Sequence, residues 1–392
     1  VASTATIKNA SQQCNGLYNR ATFEFPPPGL KAGDSYFAYE DQEAPGRLYL
    51  GVFASALKSH ATAQVRTCAT LLQSVMPKDI PGEDAPIDYL SDPYGTLVWY
   101  FNSLRELGLA TTMCAGDIEE YIKGICKRRG IPWQIRRRIW EAVEMTSRRT
   151  ADEIPQILKK LDVKWSSQKD GLYPVDILLA TNMISVGVDV PRLGMMVVTG
   201  QPKSTAEYIQ ATSRVGRTHP GLVVTLYHMG KSRDRSHYEQ FVAYHQSIYR
   251  YVEPTSVTSF SPPARERALR GALIALSRQQ TGLATPGDID THINRVNQEV
   301  DYLLTRIRDV DAEEAVGAKA EMDAWLNEWR SIKPSEYGKM AGNVSDTTLM
   351  YPFGSYPDPV YQRDAWPVMT SMRSVDGTAE ARVINSYLSN DA

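Results

Sequence analysis

Between Asp176 and Arg217 the chain reads ILLATNMISVGVDVP, then a second apolar run, then QATSRVGR, and few folds accommodate that order. Ile177, Leu178 and Leu179 form an apolar run without polar alternation, which predicts a strand buried on both faces of a parallel sheet. The run ends at Thr181 and Asn182, so small polar groups stand at the carboxyl end of a strand, where open α/β sheets bind ligands. Gly187 admits a close backbone approach or a positive φ, and Asp189 supplies a carboxylate two residues later. Residues 195–198 predict the next strand and 205–210 a helix. Arg214 and Arg217 follow three positions apart, which points both guanidiniums one way if the segment is helical or tightly turned. Such a pair grips polyphosphate oxygens in fork geometry and cannot lose its charge. Taken singly, a strand ending in Thr-Asn is a strand end and two loop arginines are a solvated surface; their conjunction and order carry the reading.

These residues resemble motifs V and VI of superfamily 2 helicases. Ala180, Thr181, Asn182, Gly187 and Asp189 match an A-T-(D/N)-x4-G-x-D pattern, and Gln210, Arg214, Gly216 and Arg217 match Q-x3-R-x-G-R. Ser213 departs from the glycine that many members carry there, which bears on the local turn and not on the arginines. The resemblance implies that Thr181 and Asn182 touch a nucleic-acid phosphate, that Gly187, Asp189 and Gly216 belong to the ATP site with Asp189 at the ribose, and that Gln210, Arg214 and Arg217 reach the phosphates of ATP. Arg217 is the implied arginine finger, the cation that stabilises charge on a transferring phosphoryl group.

The chain starts at Val1 without a methionine, and Ser3, Thr4, Ala5 and Thr6 resemble motif III, the short segment coupling the two RecA-like domains of such helicases. No G-x4-G-K-[ST] loop accompanies it. Gly230-Lys231-Ser232 has the right ending, but Thr225 stands where the first glycine belongs, and the charged surroundings do not read as strand then helix. No D-E-x-[HD] run occurs either. The expectation is therefore the C-terminal half of a helicase: ATP and Mg held mainly by a missing N-terminal RecA-like half, and no hydrolysis by this chain alone.

The expected fold is α/β: a RecA-like, P-loop NTPase-type parallel sheet flanked by helices, followed by a helical C-terminal extension. At 392 residues and 42% hydrophobic content the chain has enough apolar side chains for a full core and a smaller helical one. A net charge of -2 gives no global nucleic-acid signal, so binding has to come from local basic patches. Cys14, Cys68, Cys114 and Cys126 show no C-x-x-C pairing, which argues against metal sites and disulfides and for a reducing cytoplasm. No apolar stretch approaches the roughly 20 residues that span a bilayer, so no membrane partner is expected.

Boundaries follow from composition. Residues 1–45 read as the end of a first RecA-like domain and a Pro-rich linker, 46–253 as the second RecA-like domain, 254–333 as the helical extension, and 334–392 as an irregular tail with Trp366-Pro367-Val368-Met369 as an apolar anchor. Residues 47–53 read as a strand, 54–75 as helical and 77–92 as loop. The run TLVWYF predicts a buried strand, with Asn102 or Ser103 capping the helix behind it; this resembles motif IV, which implies that Asn102 and Ser103 touch a nucleic-acid backbone. A basic helical insertion, about residues 110–150, carries Lys123, Lys127, Arg128, Arg129, Arg136, Arg137 and Arg138 with Trp133 and Trp140 interleaved, and residues 117–140 read as one helix. Two accounts weigh equally there: phosphate contact with base stacking, or a solvated helix whose tryptophans pack on the domain. Thr146 and Arg148 sit where relatives touch the strand between motifs IV and V. Tyr238, Phe241, Tyr244, His245 and Tyr249 form a stripe at helical spacing that suits a packing face.

The Ser213 departure and the long extension ending in M-T-S-M-R-S-V-D make the chain most similar to the large helicases of DISARM-type anti-phage defence. That likeness implies a nucleic-acid partner, with DNA expected, and a defence-system partner protein. Two rival classes are a nucleic-acid-binding or scaffolding module that keeps the fold without the catalytic half, and an unrelated Rossmann-like metabolic enzyme, against which the absence of any G-x-G-x-x-G and of a small-molecule catalytic cluster argues.

Overall fold

The computed structural model describes residues 3–4, 6–27, 29–31, 33–39, 41, 43–44, 46–57, 59–77, 92–149, 152–165, 171–185, 189–338, 348–352 and 365–369. The chain divides into two compact units, one of residues 1–8 and 25–254, the other of residues 9–24 and 255–392.

Six strands form the sheet of the first unit: β1 (Arg47–Phe53), β2 (Leu97–Phe101), β3 (Ala142–Met145), β4 (Ile177–Ala180), β5 (Met195–Thr199) and β6 (Gly221–Tyr227). Their order is β1-β6-β5-β2-β4-β3, and every pairing is parallel. Every residue of β2, β4 and β5 is buried, because helices cover both faces of the sheet. The period of two sorts them. Leu97, Trp99, Phe101, Ile177, Leu179, Met195 and Val197 enter one core with helices His60–Ser74, Leu104–Thr112 and Ile118–Arg129. Val98, Tyr100, Leu178, Ala180, Met196 and Val198 enter the other, with helices Glu153–Leu161, Thr205–Thr212 and Phe241–Gln246. The parallel sheet flanked by helices is thus present, and the carboxyl ends of its strands form one rim.

Three expectations change. The helix expected over 117–140 stops at Arg129: Gly130 takes φ 65° and caps it, and Pro132 follows. Residues 136–141 then belong to no helix or strand and lead into β3. The single helix implied by the aromatic stripe is two helices, Ser232–Glu239 and Phe241–Gln246, and a 3-10 turn, Ile248–Tyr251; the stripe is still a packing face, with Tyr238 stacked on Phe53 at 5.0 Å, Phe241 against Tyr227 at 6.3 Å and Tyr244 buried in the core, while Tyr249 is exposed. The Gly230-Lys231-Ser232 run does follow a strand and open a helix.

In the second unit, helix Ala10–Tyr18 joins helices Arg270–Thr281, Ile289–Val310 and Glu314–Ile332. Asn19 donates to Asp309 at 3.3 Å. Residues 9–24, read from sequence as part of the leading domain and linker, cluster here. Leu273, Val296, Leu304, Met322 and Trp329 form the core, and the buried Arg265 donates to Glu314, Glu321 and the Phe260 carbonyl. In the tail, β7 (Met350–Pro352) pairs in parallel with β8 (Trp366–Val368), and Trp366 is buried in the same core. The rest of the tail and most of 77–92 lie outside the described residues, as does the M-T-S-M-R-S-V-D run beyond Met369.

Candidate functional site

The rim at the carboxyl ends of the strands gathers most of the residues singled out from sequence. β4 ends at Ala180, and a 3-10 turn, Asn182–Ser185, follows. Thr181 is buried, with its carbonyl accepting from the Ile184 amide at 3.1 Å, and Asn182 is exposed beside it. Gly187 lies outside the described residues. Asp189 is exposed.

Helix Thr205–Thr212 delivers the arginines. Ser204 caps it, accepting from the Glu207 amide at 3.1 Å. Ser213 has φ -68°, an ordinary helical value, so the departure from glycine is accommodated without a special backbone. Gly216 does need to be glycine: its φ is 70°, and a Cβ would stand 2.6 Å from the Gly221 Cα. Arg47, at the start of β1, holds this loop from below, its Nε donating to the Val215 carbonyl at 2.6 Å. Arg47 was missed from sequence; its signal is a lone cation opening an apolar strand.

The resulting geometry joins the two motifs. Arg217 is exposed and donates through Nη1 to an Asp189 carboxylate oxygen, and through Nε to the Ser213 carbonyl at 3.3 Å. Arg214, half-buried, donates to the Ser185 carbonyl at the end of the β4 turn. Burial, then the neighbouring Arg217, pulls the Arg214 pKa below its ordinary value, with Asp189 opposing. Gln210 donates to the Thr6 hydroxyl at 2.6 Å, which brings the motif III-like segment against the helix. Thr4 accepts from the Thr6 amide at 3.3 Å, Ser3 and Thr4 are exposed, and Ala5 lies outside the described residues.

The other nucleic-acid candidates divide. Ser103 is exposed and caps helix Leu104–Thr112, accepting from the Glu106 amide at 3.3 Å. Asn102 instead spends its side-chain amide on the Thr199 and Gly200 carbonyls, at 2.9 and 3.3 Å, and so ties the end of β2 to that of β5. Thr146 is fully buried, its hydroxyl donating to Glu144 at 2.6 Å and accepting from the Arg148 amide at 3.3 Å. Thr146 therefore shapes the turn after β3, with its hydroxyl bonded on both sides. Arg148 is exposed.

Beyond β6, the buried Asp234 accepts from the amides of His228 at 2.7 Å and Gln201 at 3.2 Å. A carboxylate thus takes up the backbone donors at this strand end, and Lys231 pairs with Glu106 at 2.9 Å. The acid two residues after Gly-Lys-Ser was the sequence signal. The His60 and His228 rings lie 4.6 Å apart at a 43° tilt, and burial lowers the His60 pKa to about 4, with His228 adding to the shift. Among the described residues no group of three His, Cys, Asp or Glu side chains could hold a metal, and no helix is long and apolar enough to cross a membrane.

Residues 133–219, which span β3, β4, β5 and both arginines, match the model of the helicase conserved C-terminal domain. The chain carries a helicase C-terminal domain. It is 37% identical to DISARM protein DrmA of Bacillus paralicheniformis over 410 residues, an alignment that takes in all of this chain and 35% of that protein. The chain thus spans about a third of the length of the curated relative it matches. Among solved structures it is similar to the DUF1998 helicase MrfA bound to DNA, at 16% identity over 51% of this chain and 23% of that one, with a TM-score of 0.34. It is also similar to the Mycobacterium smegmatis helicase Lhr bound to ssDNA and AMP-PNP, at 13% identity over 73% of this chain and 29% of that one, with a TM-score of 0.37. The superfamily 2 resemblance of the 176–217 stretch and the likeness to DISARM helicases both stand with these matches. Helicase domain boundaries by this match stop at His219, short of β6, which completes the sheet.

Proposed function

We propose that this chain supplies the C-terminal RecA-like lobe of an ATP-dependent DNA helicase or translocase of phage defence. ATP and Mg are held mainly by the N-terminal RecA-like half, and Arg217 serves as the arginine finger. The observation that carries the reading is the junction of the two motifs: exposed Arg217 beside exposed Asp189, on a loop that Gly216 and Arg47 hold rigidly against the sheet.

What these residues can do follows from their charge and placement. With ATP in the cleft between lobes, Arg217 leaves Asp189 for the transferring phosphoryl oxygens, and the freed carboxylate accepts from the ribose hydroxyls. Arg214 adds a second positive charge, and its half-burial strengthens the attraction that water would otherwise screen. Gln210, bonded to Thr6, couples the nucleotide to the segment leading back to the other lobe. Thr181, Asn182, Ser103 and Arg148 line the same rim for one strand of nucleic acid, and its shift with each closure would translocate the chain. The likeness to DISARM protein DrmA supports the defence role and a partner protein from such a system.

The test is DNA-stimulated ATP hydrolysis by the full-length protein and by its Arg217→Ala variant. Arginine fingers contribute about 10³–10⁵ in turnover, so the variant should lose at least about a thousandfold while ATP binding changes little. Equal loss of binding and turnover would remove Arg217 from the finger role. Absence of any stimulated activity in the parent would leave the chain as a nucleic-acid-binding or scaffolding module.

A further inference from the structure

The basic, aromatic stretch between residues 127 and 140 is not part of the rim just described. Asp176, which directly precedes β4, accepts the amides of Trp140 at 2.7 Å and Glu141 at 3.0 Å, so this stretch lies at the amino ends of the strands, opposite the motif residues. Its backbone is pinned at nearly every second residue. Gln73 donates to the Ile135 carbonyl at 3.0 Å and accepts the Arg137 amide at 2.9 Å, and Glu119 accepts the Ile139 amide at 3.1 Å. On the backbone held this way Ile135 and Arg137 are buried, while Trp133, Arg138 and Trp140 stand in solvent.

Trp133 is 64% exposed and Trp140 80%, whereas Trp99, Trp325, Trp329 and Trp366 are all at 6% or less. The Arg138 guanidinium sits 6.0 Å from each of the two exposed ring centroids. Lys127, Arg128, Arg129 and Arg138 are exposed, Arg136 is half-buried, and none of the five is in an ion pair among the described residues. Large apolar rings left in water on a rigid backbone mark an interaction surface, and unpaired cations around them select an anionic partner.

We propose that Trp133, Arg138 and Trp140 form a second nucleic-acid site, a platform on which the bases of an unpaired strand stack while the neighbouring cations follow its phosphates. An unpaired strand fits better than a duplex because only splayed bases offer π faces to indole rings, and better than an acidic peptide because carboxylates have no use for two open rings. The pinned backbone means that little order is lost on binding. The proposal rests on the reading that this protein engages nucleic acid, and adds a second surface at the far end of the sheet.

The experiment is binding of a fluorescently labelled oligothymidylate to the full-length protein without nucleotide, compared with an abasic oligomer of equal length. Trp133→Ala and Trp140→Ala should each weaken oligothymidylate binding by about tenfold and leave the abasic oligomer nearly unaffected. Trp→Phe at the same positions should restore most of the affinity, and thermal unfolding should be unchanged, which separates stacking from misfolding. Unchanged oligothymidylate affinity in the alanine variants would overturn the proposal, as would an equal loss on the abasic oligomer. Tryptophan-dependent binding of poly-glutamate in place of the oligomer would also overturn it and mark a docking site for an acidic protein. Because this assay needs no ATP, tryptophan-dependent binding in a protein without stimulated hydrolysis would sink the motor reading alone.

Discussion

Three consecutive arginines, Arg136, Arg137 and Arg138, have opposite fates, and substituting the middle one measures what the fold asks of it. Arg137 is 3% exposed, donates to an Asp176 carboxylate oxygen at 2.6 Å and to the Gly95 carbonyl at 2.7 Å, and lies 4.5 Å from the Trp165 ring centroid. Burial raises the Asp176 pKa despite that partner, with the Arg137 cation and the amides of Glu141 and Trp140 opposing the rise. Arg137→Met keeps the aliphatic volume and removes the cation, leaving a buried carboxylate with only backbone donors. Breaking a buried pair from one side costs about 3–5 kcal/mol. At about 2–4 °C per kcal/mol for a unit of this size, the unfolding transition should fall by about 6–20 °C. The assay is thermal unfolding followed by near-ultraviolet circular dichroism, with Arg138→Met as control. Asp176→Asn in the Arg137→Met background should recover part of the loss, since the neutral amide removes the stranded charge and keeps an acceptor for the two amides. A drop of less than about 1 kcal/mol, the scale of an exposed pair such as Lys123–Glu120, would refute the reasoning, because it would mean that water reaches Asp176.

Two further outcomes follow from the geometry. Burial lowers the pKa of His60 to about 4 and also lowers those of His237 and His245, all below the ordinary value of 6.5. The unfolded chain therefore binds more protons below that value, so stability present above pH 6.5 should be lost as pH falls toward about 4, and a His60→Gln variant should show a shallower loss of melting temperature over that window. Gly216→Ala places a Cβ 2.6 Å from backbone at φ 70° and should cost about 2 kcal/mol or more in urea unfolding, whereas Gly46→Ala, with nothing within 4 Å, should be close to neutral.

The parts of this molecule legible in its sequence are those where one residue type permits one environment. Leu97–Phe101 and Met195–Thr199 have no polar alternation, so only a sheet covered on both faces can hold them, and the observed burial follows. Gly216, Arg214 and Arg217 were named by the motif they resemble, and the positive φ that makes glycine necessary at 216 came only with the fold. Arg136–Arg138 carry no such mark. Which of the three turns inward depends on where extended backbone begins, and that was set by Gly130 and Pro132 ending the helix, a stop signal that the run of basic residues obscured. The partner that fixes the choice, Asp176, lies about forty residues on and only meets Arg137 once β3 has paired with β4. The joining of residues 9–24 to the C-terminal helices was equally invisible, since helix Ala10–Tyr18 buries a single residue, Ala10, and carries no strong apolar face. Local sequence therefore specifies which groups this sheet can tolerate inside, and long-range pairing decides which of several equivalent cations remain outside to meet a polyanion. That division explains why the rim arginines could be named from a motif, while the sequence left Trp133, Trp140 and Arg138 balanced between base stacking and packing on the domain until the fold showed both rings exposed.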